Sequence, residues 1–238
     1  MSQSWSVIIF AYNEESSVRN LIEHTADVLM QISPEQHEIV VVNDGSTDNT
    51  FHEIEICSGV IPNLKIMHHE KNKGIGEALL TGYRNVQFEN ICAIPADGQF
   101  NPMELIPFAE IPEKTVISFY RTQKTRYTLF RKLLSYANRI LNRFFLGIKI
   151  KDVNWVKVYK KESFQRITPI LTSSLVESEI FARMLYANNT IVEVPSVYNP
   201  RVGGVSKGAS LKTMFLVAGE TLKLYRSLRK SNGKHQGK

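Results

Sequence analysis

Short apolar runs alternate with segments of helical spacing through the first half of the chain. Ser6–Phe10 (SVIIF) is a continuous apolar run of the kind that forms a strand buried on both faces. Helix-like spacing follows at Val18, Leu21, Ile22, Val28 and Leu29. Glu38–Val42 reads as a second strand, Thr47–Ile56 as a short helix and Leu64–Met67 as a third strand. Gly76–Phe88 is helical, with Ala78, Leu79, Gly82 and Val86 on one side. Asn90–Ile94 is a fourth strand, Pro102–Ala109 a helix with proline in its first turn, and Thr115–Phe119 a fifth strand. Strands and helices alternating at this spacing predict a single α/β domain, its mostly parallel sheet covered by helices on both faces. No internal repeat and no Gly/Ser- or Pro-rich linker divides the chain.

In such sheets a ligand sits beyond the carboxyl ends of the strands. Those ends here are polar: Ala11-Tyr12-Asn13-Glu14-Glu15 after the first strand, Asn43-Asp44-Gly45-Ser46-Thr47-Asp48 after the second, Pro95-Ala96-Asp97-Gly98-Gln99 after the fourth. Helix capping accounts for Ser46 or Asp48. It accounts less well for a carboxylate at each of three strand exits.

Composition adds limits. The 238 residues are 43% hydrophobic, 10% aromatic and 22% charged, which is globular and excludes disordered, collagenous and coiled-coil readings. Cys57 and Cys92 are too few for a disulfide framework and lack zinc-ligand spacing. No basic leader followed by an apolar stretch opens the chain, and no run nears the ~18 apolar residues needed to span a bilayer. The expectation is a cytoplasmic, reduced protein. Lys73-Gly74-Ile75-Gly76 lacks the third glycine of the dinucleotide fingerprint, and adjacent His68 and His69 face opposite sides of a strand. Charge is segregated: residues 1–120 carry net −11, residues 121–151 net +9 with no acid, and residues 201–238 net +8. Arg121, Lys124, Arg126, Arg131, Lys132, Arg139 and Arg143 are interleaved with Tyr127, Leu129, Phe130, Phe144 and Phe145, a mixture suited to anionic lipid headgroups and a phosphate. No nucleic-acid-binding motif accompanies that charge.

Taken in order, SVIIFAYNEE (6–15), VVNDGSTDNT (41–50), NKGIGEALLTGYRN (72–85) and PADGQF (95–100) resemble family 2 glycosyltransferases of the polyprenol-phosphate sugar synthase branch, the dolichol-phosphate-mannose-synthase-like enzymes. KDVNWVKVYKKE (151–162) and EVPSVYNPRVGGVSKG (193–208) are similar to two later segments of that branch. The resemblance covers about residues 5–208 and implies a GT-A fold. It also implies a nucleotide-diphosphate-sugar donor, Mg²⁺ or Mn²⁺, and a polyprenyl phosphate acceptor at the membrane surface. On this reading residues 1–208 are the catalytic domain, with 121–151 its acceptor- and membrane-facing segment, and 209–238 a basic amphipathic helix and tail.

Residue by residue, the resemblance assigns the nucleotide-sugar to Ala11, Tyr12, Glu14, Asp44, Ser46, Gly74 and Asp97, and the metal to Asp97 and Gln99. The acceptor phosphate falls to Arg121, Arg131, Ser135, Arg201, Ser206 and Lys207. Asp97 and Asp152 are the catalytic candidates, with Glu179 secondary. A phosphate acceptor is already anionic and needs no base, so Asp152 then positions substrate or a basic side chain; with a sugar hydroxyl acceptor it becomes the candidate base. Three positions depart from the family pattern: Pro95 replaces the first acid of Asp-x-Asp, Asn43 a frequent Asp, and Trp155-Val156-Lys157 a Gly-Phe-Arg-like run. Two further readings stay open: transfer to a saccharide or protein hydroxyl, and a nucleotide-sugar-binding protein impaired by Pro95. Residues 209–230 predict a helix with Leu211, Met214, Phe215, Ala218, Leu222 and Tyr225 on one face and Lys212, Lys223, Arg226 and Lys230 on its flank. That helix meets either the membrane or the domain core.

Overall fold

The computed structural model describes residues 2–122, 140, 143–144, 146–201 and 219–228. Seven strands form one sheet: β1 (Trp5–Ala11), β2 (His37–Asn43), β3 (Leu64–His68), β4 (Asn90–Pro95), β5 (Thr115–Arg121), β6 (Lys157–Lys160) and β7 (Thr190–Ser196). Their order is β3-β2-β1-β4-β6-β5-β7. β1 pairs in parallel with β2 and β4, β2 with β3, and β5 with β7. β6 alone runs the other way, antiparallel to β4 and β5.

Strict alternation explains why β1, β2 and β4 read as unbroken apolar runs. Val7, Ile9, Ile39, Val41, Cys92 and Ile94 enter one core layer, while Ile8, Val40, Val42, Ile91 and Ala93 enter the other. Helix α1 (Val18–Ile32) covers the first layer with Val18, Leu21, Ile22, Val28 and Leu29, joined by α2 (Thr50–Ser58). Helix α3 (Ile75–Asn85) covers the second, together with α5 (Val176–Tyr186), which follows the short α4 (Lys161–Gln165). Gly82 of α3 lies so close to β1 that an added Cβ would sit 2.3 Å from Ile8 Cγ2.

Several boundaries shift for local chemical reasons. The second helix starts at Thr50 rather than Thr47, because Asp48 Oδ1 accepts from both the amide (3.0 Å) and hydroxyl (2.5 Å) of Thr50 and closes a turn first. Pro102–Phe108 is a 3₁₀ helix; Pro107 within it has no N–H for an α-helical bond. The third helix ends at Asn85, with Val86 extended. The C-terminal helix is described over 219–228, where the buried side is Thr221, Leu224 and Leu228. This corrects the expected face at Leu222, which is 41% exposed, while Leu224 and Leu228 join the second core layer; Leu211, Lys212, Met214, Phe215, Ala218 and Lys230 lie outside the described residues. Its described turns are docked on the domain, with Lys223 and Arg226 turned outward. Among the described residues no helix is long and apolar enough to cross a membrane.

Candidate active site

Because β1, β2 and β4 are parallel neighbours, their exits open at one edge of the sheet: Ala11 lies opposite Asn43, and Phe10 opposite Pro95. The loops beyond them are tied together by polar side chains. Ser46 Oγ accepts from Asn13 N (3.0 Å), Asn13 Oδ1 from Thr47 N (2.8 Å), and Thr50 Oγ1 from Glu14 N (2.8 Å). Gly45 turns this loop at φ 67°, where a Cβ would lie 2.3 Å from the Lys71 backbone. Only glycine fits there.

A cleft of about 620 Å³ opens at this rim, lined among others by Ala11, Tyr12, Glu14, Asp44, Gly74, Pro95, Asp97 and Arg201. Two buried carboxylates share one guanidinium there. Arg201 Nη2 lies 2.5 Å from Glu14 Oε1 and 3.6 Å from Asp97 Oδ2. Burial pushes the Glu14 carboxyl above the usual range, Arg201 partly offsets it, and the Asp97 charge adds to the rise. Burial likewise raises Asp97, against the Gln99 amide that donates to its Oδ1 (3.1 Å) and the charge of Arg201.

Beside the cleft lies an aromatic and cationic cage. Arg121, at the end of β5, grips Asp152 with two parallel hydrogen bonds, Nε to Oδ2 at 2.6 Å and Nη2 to Oδ1 at 3.0 Å. Its guanidinium sits 4.9 Å from the Trp155 ring and 5.5 Å from that of Tyr198. Trp155 is fixed by its indole N–H to Ser196 Oγ (2.9 Å), and the Gln99 amide donates to the Tyr198 hydroxyl. Behind the cage, buried Lys157 donates to the carbonyls of Val153 (2.5 Å) and Trp155 (2.9 Å), pinning the loop that carries Asp152. Burial lowers the Lys157 pKa, and nearby Glu177 opposes that shift.

The profile of glycosyl transferase family 2 matches residues 6–168. The chain belongs to that family. It is 28% identical over 213 residues to a dolichol-phosphate mannosyltransferase of Pyrococcus furiosus, covering 85% of this chain and 58% of that one. An undecaprenyl-phosphate mannosyltransferase of Micrococcus luteus is 24% identical over 212 residues, 84% of this chain and 85% of that one. The chain spans 58% of the length of that P. furiosus relative and 31–44% of the length of three others, among them an undecaprenyl-phosphate 4-deoxy-4-formamido-L-arabinose transferase of Proteus mirabilis. Glucosyl-3-phosphoglycerate synthase of Mycobacterium tuberculosis, solved with Mn²⁺, UDP and glucosyl-3-phosphoglycerate, superposes with a TM-score of 0.65 at 19% identity, over 95% of this chain and 80% of that one. The family 2 chain thus has the GT-A fold expected from its motifs.

Of the residues assigned to the donor, Ala11, Tyr12, Glu14, Asp44, Gly74 and Asp97 come together in the cleft, while Ser46 is outside its lining, held by Asn13. Asp44 is committed to protein: Oδ1 accepts from His69 Nδ1 (2.7 Å) and Lys73 N (2.9 Å), and Oδ2 from Gly74 N (2.9 Å). It shapes the 69–74 turn that carries Asn72 and Gly74 into the cleft. His69, read as part of a weak histidine pair, is the unexpected member of this set; its Nε2 shares a hydrogen bond with Thr81 Oγ1 (3.0 Å). Gln99 is likewise outside the cleft lining, on Tyr198. Glu179 is fully buried and accepts from the amides of Ile170 and Leu171 and from Arg183, a structural role away from the rim. Arg201 lines the cleft, and Arg121 lies outside its lining but close enough for its charge to act on Asp97; Arg131, Ser135, Ser206 and Lys207 lie outside the described residues.

The fit to a divalent ion is partial. Among the described residues no group of three or more His, Cys, Asp and Glu side chains gathers as a metal site. Asp97 in the cleft nevertheless offers a carboxylate, and one or two carboxylates plus substrate phosphates are a usual Mg²⁺ set.

Proposed function

We propose that this chain transfers a sugar from a nucleoside-diphosphate donor to a polyprenyl phosphate at the cytoplasmic face of a membrane, with inversion at the anomeric carbon. The observation that carries this reading is the meeting of two charge environments: a carboxylate-lined cleft at the ends of β1, β2 and β4, with the guanidinium of Arg201 in it and that of Arg121 near enough to act on Asp97. The polyprenol-phosphate acceptors named for the P. furiosus and M. luteus relatives support it.

The chemistry follows from the residues. Tyr12 and Asn72 line the region open to a nucleoside, and Gly74 lets the diphosphate approach backbone. Asp97 would hold Mg²⁺ or Mn²⁺, with Gln99 turned in from Tyr198 as its expected companion. The ion, when bound, neutralises the diphosphate as it leaves. An acceptor phosphate held by Arg201 and Arg121, and by Arg131, Ser135, Ser206 and Lys207, brings its own negative charge and requires no general base. Asp152, with both oxygens on Arg121, orients a cation toward that phosphate rather than taking a proton.

Incubation of the purified chain with labelled nucleotide-sugars and short polyprenyl phosphates tests the proposal. Label is expected in the organic phase, and chelation should stop its transfer. Pro95 favours one second reading, a protein that binds the donor without transferring it; donor binding with no labelled lipid or saccharide product would select it. Label in a saccharide or protein fraction instead would move the acceptor to a hydroxyl.

A polyprenyl tail stays in the bilayer, so the catalytic surface must meet it. Phe144 is 78% exposed beside exposed Arg143, and Lys223 and Arg226 point outward from the docked C-terminal helix. Each cation near an anionic leaflet contributes about 1 kcal/mol, screened by salt. The chain should co-sediment with anionic but not neutral vesicles, less so as salt rises. Phe144→Ser together with Arg143→Glu should reduce sedimentation while donor affinity is kept; equal binding to both vesicle types would exclude the charged mode.

A further inference from the structure

At the end of β4 the cleft presents Pro95, which has no side-chain donor, so Asp97 is the one carboxylate this strand exit brings to the ion proposed above. A second carboxylate arrives from the neighbouring strand. Glu14 follows β1 directly, and one nitrogen of Arg201 lies within 2.5 Å of Glu14 Oε1 and 3.6 Å of Asp97 Oδ2, so the two acids bracket a single positive charge. We propose that Glu14 supplies the carboxylate that Pro95 lacks, forming a divalent-cation site with Asp97, and that the Arg201 guanidinium holds this site when no ion is there.

Three features support the assignment. Glu14 is 7% exposed, and its Oε2 accepts no hydrogen bond from the described residues. A buried carboxylate oxygen without a donor is costly, and a cation in the cleft removes that cost. Two carboxylates offer hard oxygen ligands of the type Mg²⁺ and Mn²⁺ take, leaving further positions to phosphate and water.

The third feature is the grip on Arg201. Arg121 is locked to Asp152 by two hydrogen bonds from two nitrogens, whereas Arg201 donates a hydrogen bond to Glu14 from Nη2, lies 3.6 Å from Asp97, and has a buried Nε that donates to no described residue. A guanidinium held by one corner is exchangeable for an ion. Its release on ion entry frees a cation beside the cleft for the acceptor phosphate, so that the donor with its ion would bind before the lipid. This inference rests on the proposed function for the use of the ion; the site itself is testable without donor or acceptor.

The test is a Mn²⁺ titration of the full chain, with free Mn²⁺ read by electron paramagnetic resonance and folding checked by circular dichroism. Arg201→Ala should bind Mn²⁺ about tenfold more tightly than wild type, and Arg201→Gln should serve if the alanine variant does not fold. Adding Glu14→Gln to either should weaken binding by about 10- to 100-fold, the scale seen when a supporting group of a metal site is lost. Asp97→Asn in the same background should weaken it comparably. If Glu14→Gln leaves Mn²⁺ affinity unchanged where Asp97→Asn reduces it, Glu14 is not a ligand and the proposal falls. No gain on removing Arg201 overturns the counter-ion role. A chain that binds Mn²⁺ as stated yet moves no sugar to lipid would overturn the proposed activity and keep the site. A chain that transfers sugar but shows no Glu14 effect would do the reverse.

Discussion

The donor rim and the neighbouring Arg121 cage are built by opposite means. The rim draws on three parallel neighbouring strands, each ending in a short loop whose own residues carry the chemistry: Glu14, Asp44 and Asp97. Its ties are short-range bonds between adjacent loops, such as Asn13 to Ser46 and Glu14 to Thr50. The cage is gathered from distant places: Gln99 after β4, Arg121 on β5, Asp152 and Trp155 before the reversed strand β6, and Ser196 and Tyr198 at and after β7. One region is fixed by strand register. The other depends on side-chain packing between segments that only the whole fold brings together, and so it should fail separately.

The largest expected effect breaks the rim. Gly45→Ala places a Cβ 2.3 Å from the Lys71 backbone at a positive φ. Left-handed strain and overpacking together should cost on the order of 2–5 kcal/mol of unfolding free energy. Donor affinity should fall with it, because the displaced segment runs on to Asn72 and Gly74. Thermal unfolding and nucleotide titration read both; donor affinity surviving a large loss of stability would show that the 69–74 turn does not shape the donor site.

Next is a cut confined to the cage. Asp152→Asn removes one charge from the doubly hydrogen-bonded pair with Arg121. The expected loss in kcat/KM for the lipid acceptor is about 10- to 100-fold, the scale of weakening a partly buried charge pair. Donor binding should be unchanged. Equal losses on both substrates would mean that rim and cage act as one unit, and a general-base role would show as a fall in kcat with a displaced pH profile.

The smallest effect sharpens the contrast through pH. Burial lowers the folded pKa of Lys157 below 10.5, its ordinary value, with Glu177 opposing. Between that lowered value and 10.5 the unfolded chain holds the additional proton, so this lysine's contribution to stability rises with pH across that window. Lys157→Met should lose that slope, and the difference in unfolding free energy should move in favour of wild type as pH climbs toward 10.5. Parallel pH dependence of the two proteins would show that the lysine is not buried behind the cage. The rim, which Lys157 does not touch, should keep its nucleotide affinity in the variant.

β1, β2 and β4 were legible in the sequence because a strand buried on both faces is apolar along its central run, as at positions 7–9, 39–42 and 91–94. Their polar exits were legible too, since parallel strands deliver successive loops to one edge. Local order alone could not reveal β6, four residues long and reversed, where buried Lys157 and Lys160 interrupt the apolar pattern. Those lysines are tolerated because Val153, Trp155, Gln3 and Glu89 meet their ammonium groups, partners 2 to 157 residues away. The C-terminal helix was rotated from its expected face for a related reason. Its periodicity allowed several apolar stripes, and packing into the core layer shared with α5 selected Leu224 and Leu228. Arg201 illustrates the limit most clearly. Sequence placed it among acceptor-phosphate groups, and its basic charge was certain from its identity. Its place between Glu14 and Asp97, 187 residues from the former, was decided only when chain closure brought two buried carboxylates and this partly exposed guanidinium into one cleft and electrostatics paired them.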